Sequence, residues 1–122
     1  MTTLQDVAQD LMALDGAMAF AFVDHTNGMT LASVTAVPYD IELAAAVSTE
    51  FVRAKLRAVH EMGRSSRIED ILVTLSDELH LILLCDDPKL AGVFGYLVLD
   101  RQRGNLALAR RHLRSLGATV EL

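Results

Sequence analysis

Residues 90–99 read LAGVFGYLVL, an almost wholly apolar run between a turn at residues 86–89 and a charged segment that begins at Asp100. A strand with one wet face alternates apolar and polar residues, whereas a strand covered on both faces is apolar at nearly every position. The run therefore predicts the central strand of a sheet. Such a strand requires a layer of helix on each face of that sheet.

The segments on either side of this run read as further elements of the same sheet. Residues 68–75 and 79–85 form two strand-like runs around the turn Ser76-Asp77-Glu78. After the charged connection 100–104, Asn105 is placed to cap a last helix that ends at Gly117. Its apolar line is Leu106, Ala109, Leu113 and Leu116.

The segment Ile41–Met62 has no internal Gly or Pro and follows Asp40, a good N-cap, so it predicts the longest helix. Its apolar arc covers roughly half of the circumference, which is wide for a surface helix. One margin of such an arc can cover a sheet while the other meets a second helix. The arc consists of Ile41, Ala44, Ala45, Val47, Ser48, Phe51, Val52, Leu56, Val59 and Met62, interrupted by Lys55.

The N-terminal third predicts a helix and a hairpin. Helical spacing runs over Leu4–Leu14 with Thr2 or Thr3 as N-cap. Residues 17–24 and 29–34 read as strands, and Asn27-Gly28 is expected to supply two positive φ angles between them. The predicted order is α-β-β-α-β-β-β-α in one domain, residues 1–122. We expect an α/β (α+β) three-layer sandwich, with a five-stranded, mostly antiparallel sheet, the long helix on one face and the terminal helices on the other.

Composition limits the class of protein. The chain has 122 residues, of which 52% are hydrophobic and 22% charged. The longest uncharged apolar runs are far shorter than the roughly 20 residues that cross a bilayer, and no signal peptide precedes them, so membrane insertion is not expected. A single cysteine favours the reducing cytoplasm. The net charge of −5 disfavours nucleic acid as a partner.

No pattern predicts catalysis, a cofactor or a metal site. The chain lacks a phosphate-binding loop of the form G-x-x-x-x-G-K-[ST], and Gly92 and Gly95 are interpreted as close helix packing inside an apolar strand. Cys85 could be a nucleophile beside His80, but burial of a small apolar side chain is the simpler interpretation. Asp86 and Asp87 could bind a cation, or lie solvated in a turn. The four histidines, His25, His60, His80 and His112, lack metal-ligand spacing.

A local positive charge marks the end of this acidic chain. Three readings stay open for it: a solvated helix face, a docking site for an acidic protein, or contact with nucleic acid or anionic membrane. The arginines are Arg101, Arg103, Arg110, Arg111 and Arg114.

Several local phrases, in this order of elements, resemble the roadblock/dynein light chain family over almost the whole chain. They are Leu14-Asp15-Gly16-Ala17, Asp24 with Asn27-Gly28, Ile68-Glu69-Asp70-Ile71-Leu72-Val73, and the phrase from Gly104 to Arg110. Ala107 stands where many members have Gly. The resemblance implies a homodimer or heterodimer in which the long helices pack together and the third strands join edge to edge. It also implies, for bacterial members, a regulator or scaffold of small Ras-like GTPases without enzymatic activity.

These implications translate into two sets of residues. The expected dimer interface comprises Ala45, Ser48, Val52, Leu56, Val59, Ile71, Val73 and Leu75. The expected partner-binding surface comprises Glu42, Glu50, Arg53 and Arg57. A structural adaptor without effect on a GTPase is the alternative function, and a small-ligand sensor or minor enzyme is a third, based on analogy between folds.

Overall fold

The computed structural model describes residues 2–116 and residue 120. Its elements follow the predicted order α-β-β-α-β-β-β-α. The helices are α1 (Leu4–Leu11), α2 (Ile41–Glu61) and α3 (Leu106–Arg114). The strands are β1 (Ala17–Asp24), β2 (Met29–Thr35), β3 (Asp70–Thr74), β4 (Glu78–Leu84) and β5 (Val93–Asp100).

The sheet has five strands in the order β2-β1-β5-β4-β3, and every neighbouring pair is antiparallel. Strand β5 lies at the centre, and every residue from Val93 to Leu99 is buried. The prediction of a central strand covered on both faces is confirmed. Strands β2 and β3 form the two edges.

Two apolar clusters on opposite faces of the sheet confirm the three-layer sandwich. On one face, Phe20, Phe22 and Leu97 pack with side chains of α1 and α3. On the other, Ala21, Phe94 and Val98 pack under α2. The long helix therefore covers one face, and the terminal helices cover the other, as expected.

Side-chain caps fix the starts of all three helices. Thr3 accepts from the backbone N–H of Asp6, whose carboxylate accepts from the N–H of Thr3. Asp40 accepts from the N–H of Leu43, and Asn105 from the N–H of Leu108. Each bond satisfies an N–H that the first helical turn leaves without a partner. The predicted end of the last helix, Gly117, lies outside the described residues.

Several predicted boundaries are wrong by two or three residues, among them β3, which begins at Asp70 and not at residue 68. Helix α1 ends at Leu11 and not at Leu14, because the chain tightens there into i→i−3 bonds such as Leu14 N–H to Leu11 O. Strand β5 begins at Val93 and not at Leu90, because residues 88–90 form a short 3₁₀ turn and Gly92 has φ +81°. Periodicity does not separate a buried turn from a buried strand when both are apolar.

The hairpin turn also differs from the prediction. Gly28 has φ +77°, but Asn27 does not have a positive φ. The turn is instead built on Asp24: its backbone carbonyl accepts from the N–H of Gly28, and its carboxylate accepts from both the N–H and the hydroxyl of Thr26. These Thr26 hydrogen bonds lower the pKa of Asp24, the side-chain bond being the larger cause.

Gly95 is required by a neighbouring strand and not by a helix. A Cβ atom at this position would lie 3.0 Å from the ring of Phe20 on β1. Gly95 lies within a strand as predicted, but the interpretation of helix packing is wrong for it, and the strand position is wrong for Gly92. Gly95 makes room for an aromatic ring of the core, and Gly92 precedes the strand.

Candidate interaction surface

Helix α2 carries an apolar stripe that faces away from its own sheet. Leu43, Val47 and Phe51 are spaced by four residues, which places them along one line of the helix. Their exposed fractions are 60%, 59% and 46%. On the opposite margin, Ala45 and Val52 are both 0% exposed. The wide apolar arc therefore has one margin on the sheet and one in solvent.

The β3 edge of the sheet lies on the far side from β2, and its Ile71 packs against the apolar cluster under α2. Helix α2 packs mainly on β1 and β2, which leaves the β3 side of the sheet less covered. Ile71 and Val73 pair with Ile82 and His80 of β4, and both remain half-buried. Leu75 follows the strand and is exposed. Within the described part of the chain, no strand pairs with the outer side of β3.

Two backbone hydrogen bonds show which groups of β3 face outward. The N–H of Leu75 donates to Glu78 O, and the N–H of Leu84 donates to Glu69 O. In an antiparallel ladder the bonded residues alternate, so odd-numbered residues of β3 face β4. The N–H and C=O groups of Leu72 and Thr74 consequently point toward the open edge.

The predicted dimer-interface residues fall into three groups of exposure. Ala45 and Val52 are covered by the sheet of their own chain, so they support the helix and present no surface. Leu75 is exposed. The half-buried remainder comprises Ser48, Leu56, Val59, Ile71 and Val73.

Sequence reasoning missed Leu43 because a helical wheel does not tell which margin of a wide apolar arc lies on the sheet. The spacing of Leu43, Val47 and Phe51 by four residues was the available signal.

The predicted partner-binding residues are exposed on the other flank of α2. Glu42, Glu50 and Arg57 have no ion-pair partner in the described part of the chain. Arg53 has a role within the chain, since its guanidinium donates to the carbonyl oxygens of His25 and Thr26, both at 2.6 Å. Arg53 thus ties the middle of α2 to the β1–β2 turn.

A hydrogen-bonded polar cluster occupies the α2 side of the sheet near the start of the helix. It consists of Tyr39, Glu78, His80 and Tyr96. The Nε2 atom of His80 lies 2.7 Å from Glu78 Oε1, and its Nδ1 atom lies 2.8 Å from the hydroxyl of Tyr96. The hydroxyl of Tyr39 lies 3.1 Å from Glu78 Oε1. Because His80 pairs with Val73 across the β3–β4 ladder, the cluster adjoins the predicted interface.

The arginines at the end of the chain do not form one free patch. Arg110 and Arg114 of α3 both contact the carboxylate of Asp70, with Nε–Oδ2 and Nη2–Oδ2 distances of 3.3 and 3.4 Å. The Arg101 guanidinium donates to Leu75 O at 3.1 Å. Three of the five arginines therefore hold β3 and its turn to the rest of the fold, and the prominent charge in the sequence is partly internal.

Cys85, Asp86 and Asp87 are consecutive in the chain and line the same cavity. Burial raises the pKa of the Cys85 thiol to about 11, which disfavours the reactive thiolate. Asp86 pairs with Arg67 at 3.1 Å, and Asp87 accepts from the N–H of Lys89. Residues 2–116 and 120 contain no group of three or more His, Cys, Asp or Glu side chains arranged to hold a metal ion. Among those residues, no helix has the length and apolarity needed to span a membrane.

A cavity of about 470 Å³ lies at the far end of α2, away from the polar cluster. Leu56, Val59 and Val93 contribute apolar walls, and Arg64 and Arg67 lie at its rim. Its size falls within the range of small-molecule sites. A second cavity of about 550 Å³ adjoins it and shares Arg67, Asp86 and Asp87 with it. Both cavities give the small-ligand alternative a location, but their mixed acidic and basic lining indicates no particular ligand.

This arrangement of a five-stranded antiparallel sheet between one long helix and two terminal helices is the roadblock/LC7 fold. Among solved structures, the Roadblock/LC7 domain from Streptomyces avermitilis superposes with a TM-score of 0.80 at 13% identity, covering 96% of this chain and 93% of that one. MglB from Myxococcus xanthus superposes with a TM-score of 0.70 at 14% identity, covering 95% of each chain. A structure described as MglB with tetrameric arrangement gives 0.72 at 16% identity, covering 93% of this chain and 84% of that one.

The likeness is one of structure and not of sequence. No protein-family model matches the chain, and no curated protein matches it. The resemblance inferred from short phrases is confirmed at the level of the fold.

Proposed function

We propose that the chain is a cytoplasmic, non-enzymatic dimer of one roadblock-like domain that binds a small Ras-like GTPase and modulates its nucleotide cycle or its localisation. The observation that carries the dimer is the exposed stripe Leu43-Val47-Phe51, and the open edge of β3 supports it. The resemblance to the roadblock family supports the GTPase as partner. The tetrameric arrangement named for one MglB structure supports self-association.

A two-fold axis would satisfy both features of this surface at once. The stripe of one α2 would pack on the stripe of the second copy, because a two-fold interface brings the same patch of both chains together. The outward N–H and C=O groups of β3 would pair with those of the second β3, extending the sheet across the dimer. Stable interfaces of this kind bury on the order of 1,200 Å² or more, so we expect both features to contribute to the buried area.

The strand contribution is tested by Thr74→Pro compared with Thr74→Val. The Thr74 N–H faces the open edge, so proline removes a donor to the second copy without removing a bond to β4. The symmetric dimer would lose two hydrogen bonds, and each contributes about 0.5–1.5 kcal/mol to its stability. We therefore expect dimerisation to weaken by roughly tenfold. Analytical ultracentrifugation gives the dissociation constant.

Thr74→Val is the matched control because it keeps the N–H and has good strand propensity. Both variants should retain the circular dichroism spectrum of the wild type. Equal dissociation constants for the two variants would contradict pairing through the β3 edge.

The GTPase hypothesis is tested by binding and turnover together. Each small Ras-like GTPase of the source organism would be mixed with the dimer, loaded with GDP or a non-hydrolysable GTP analogue to measure binding and with GTP to measure hydrolysis. We expect one of them to bind and to change its rate of GTP hydrolysis or nucleotide exchange. Glu50→Ala and Arg57→Ala should weaken that binding and leave the dimer intact, since both side chains lie off the stripe.

The alternative function is an adaptor that assembles a larger complex through the same dimer. It shares the stripe and the β3 edge, so dimerisation does not separate the two hypotheses. Nucleotide turnover separates them. If the dimer binds none of the GTPases and changes none of their rates of hydrolysis or exchange, the adaptor function is favoured.

A further inference from the structure

The polar cluster forms one continuous hydrogen-bonded path from β4 to the interface side of α2. Tyr39 and His80 both contact the Glu78 carboxylate, and His80 contacts Tyr96 through its other ring nitrogen. The side chain of Ser48 on α2 lies near enough to the Tyr96 hydroxyl to act on it as a hydrogen-bond donor. The path is therefore Tyr39, Glu78, His80, Tyr96, Ser48.

With a neutral His80, the direction of every bond in this path follows from the chemistry of Glu78. An ionised carboxylate only accepts, so the Tyr39 hydroxyl and the His80 Nε2–H both donate to it. The Nδ1 atom then accepts from the Tyr96 hydroxyl, which in turn accepts from Ser48. All the bonds are satisfied, and the cluster carries one negative charge.

A proton on His80 reverses part of this path. Both ring nitrogens of a histidinium are donors, so Tyr96 must accept from Nδ1 and turn its own proton toward Ser48. The cluster then contains an ion pair at 2.7 Å and has no net charge. Histidine is the side chain that ordinarily exchanges its proton between about pH 5 and 8.

Two charged residues lie near Glu78: Asp100, which pairs with it across the β4–β5 ladder, and Arg101, which donates to Leu75 O at the β3–β4 turn. The two tyrosines around His80 keep their state over that range. Burial raises the pKa values of both tyrosines, and for Tyr39 the bond to Glu78 adds to the rise, so both phenols remain protonated. Val73 of β3 and Ser48 of α2 carry no charge. Asp77, in the β3–β4 turn, acts on Tyr39 from outside the hydrogen-bonded path.

We infer that protonation of His80 strengthens self-association of this chain. The inference rests on the dimer proposed above, in which a second copy covers the surface between Ser48 and Val73. Covering a cluster with an uncompensated negative charge costs more than covering a neutral, fully hydrogen-bonded ion pair. By linkage, the dimer binds the His80 proton more tightly than the monomer, so dimerisation tightens as pH falls.

The test is a measurement of the dimer dissociation constant at about pH 8 and at about pH 6, at constant ionic strength. Both pH values lie above the range in which carboxyl groups are ordinarily protonated. The wild type should dimerise roughly tenfold more tightly at the lower pH, because both copies in the dimer take up a proton. His80→Gln should lose most of this change. His60→Gln and His112→Gln should keep it, which separates His80 from the general decrease in negative charge.

A second variant and a direct titration cover the case in which His80→Gln does not fold. Glu78→Gln leaves a neutral cluster at high pH and a positive one at low pH, so the tightening should vanish or change sign. In NMR spectra, the His80 ring should titrate at higher pH in the wild-type dimer than in a monomeric Val47→Asp variant. Equal titration midpoints, or an unchanged pH response in both cluster variants, would overturn the inference while leaving the dimer in place. A wild type that is monomeric at both pH values would instead overturn the proposed dimer.

Discussion

Val47→Asp should convert the protein from a dimer to a monomer at micromolar concentration. Val47 lies in the middle of the exposed stripe, between Leu43 and Phe51, and is 59% exposed in the single chain. A carboxylate there would be buried against apolar side chains, and the two-fold axis makes each substitution count twice. Central interface residues are worth about 2 kcal/mol or more each, so we expect dimerisation to weaken by roughly a thousandfold. Light scattering combined with size-exclusion chromatography gives the mass.

Ala46→Asp provides the matched control for this experiment. Ala46 is the preceding residue, is also exposed, and points about 100° away from the stripe around the helix. The two variants introduce the same charge into the same turn of α2, so their thermal stabilities as monomers should be similar. If both remain dimers, or both become monomers, the stripe is not the interface.

Much of the fold was predictable because its signals are local. The apolar run of β5, the side-chain caps Asp40 and Asn105, and the long stretch without Gly or Pro in α2 each depend on neighbours in sequence. The errors arose where one signal has two structural meanings. Leu90 is fully buried in a 3₁₀ turn, and its apolar side chain is what made it resemble the first residue of the strand.

The candidate surface was less predictable because it depends on contacts between distant residues. Arg110 and Asp70 are separated by 40 positions, and no local pattern indicates that the charge of α3 is used to hold an edge strand. Arg53 likewise appears as a free charge in sequence but binds a turn 27 and 28 positions away. The polar cluster combines residues from two strands, β4 and β5, and from the loop before α2, so no local pattern in the sequence indicates that its members lie together.

Gly16→Ala should destabilise the fold more than other substitutions of a single methyl group. Gly16 has φ +80°, and a Cβ atom there would lie 2.7 Å from the backbone nitrogen of Gly104. The N–H of Asp100 also donates to Gly16 O, which prevents the two segments from moving apart freely. Positive φ costs about 1–2 kcal/mol for a residue with a Cβ, and overpacking costs about 1–3 kcal/mol more. We expect a loss of roughly 2–5 kcal/mol, or about 10–20 °C in Tm by calorimetry.

Gly63→Ala separates the two causes of that loss. Gly63 also has a positive φ, +71°, but its missing Cβ would meet no atom within 4 Å, so only the backbone cost applies. The Tm of the Gly63→Ala variant should fall by only a few degrees, which corresponds to a loss of about 1 kcal/mol in the free energy of unfolding. Equal losses in the two variants would show that Gly16 and Gly104 do not need to touch. The contact matters for the fold because two phrases that carried the family resemblance, one entering β1 and one opening α3, meet there backbone to backbone.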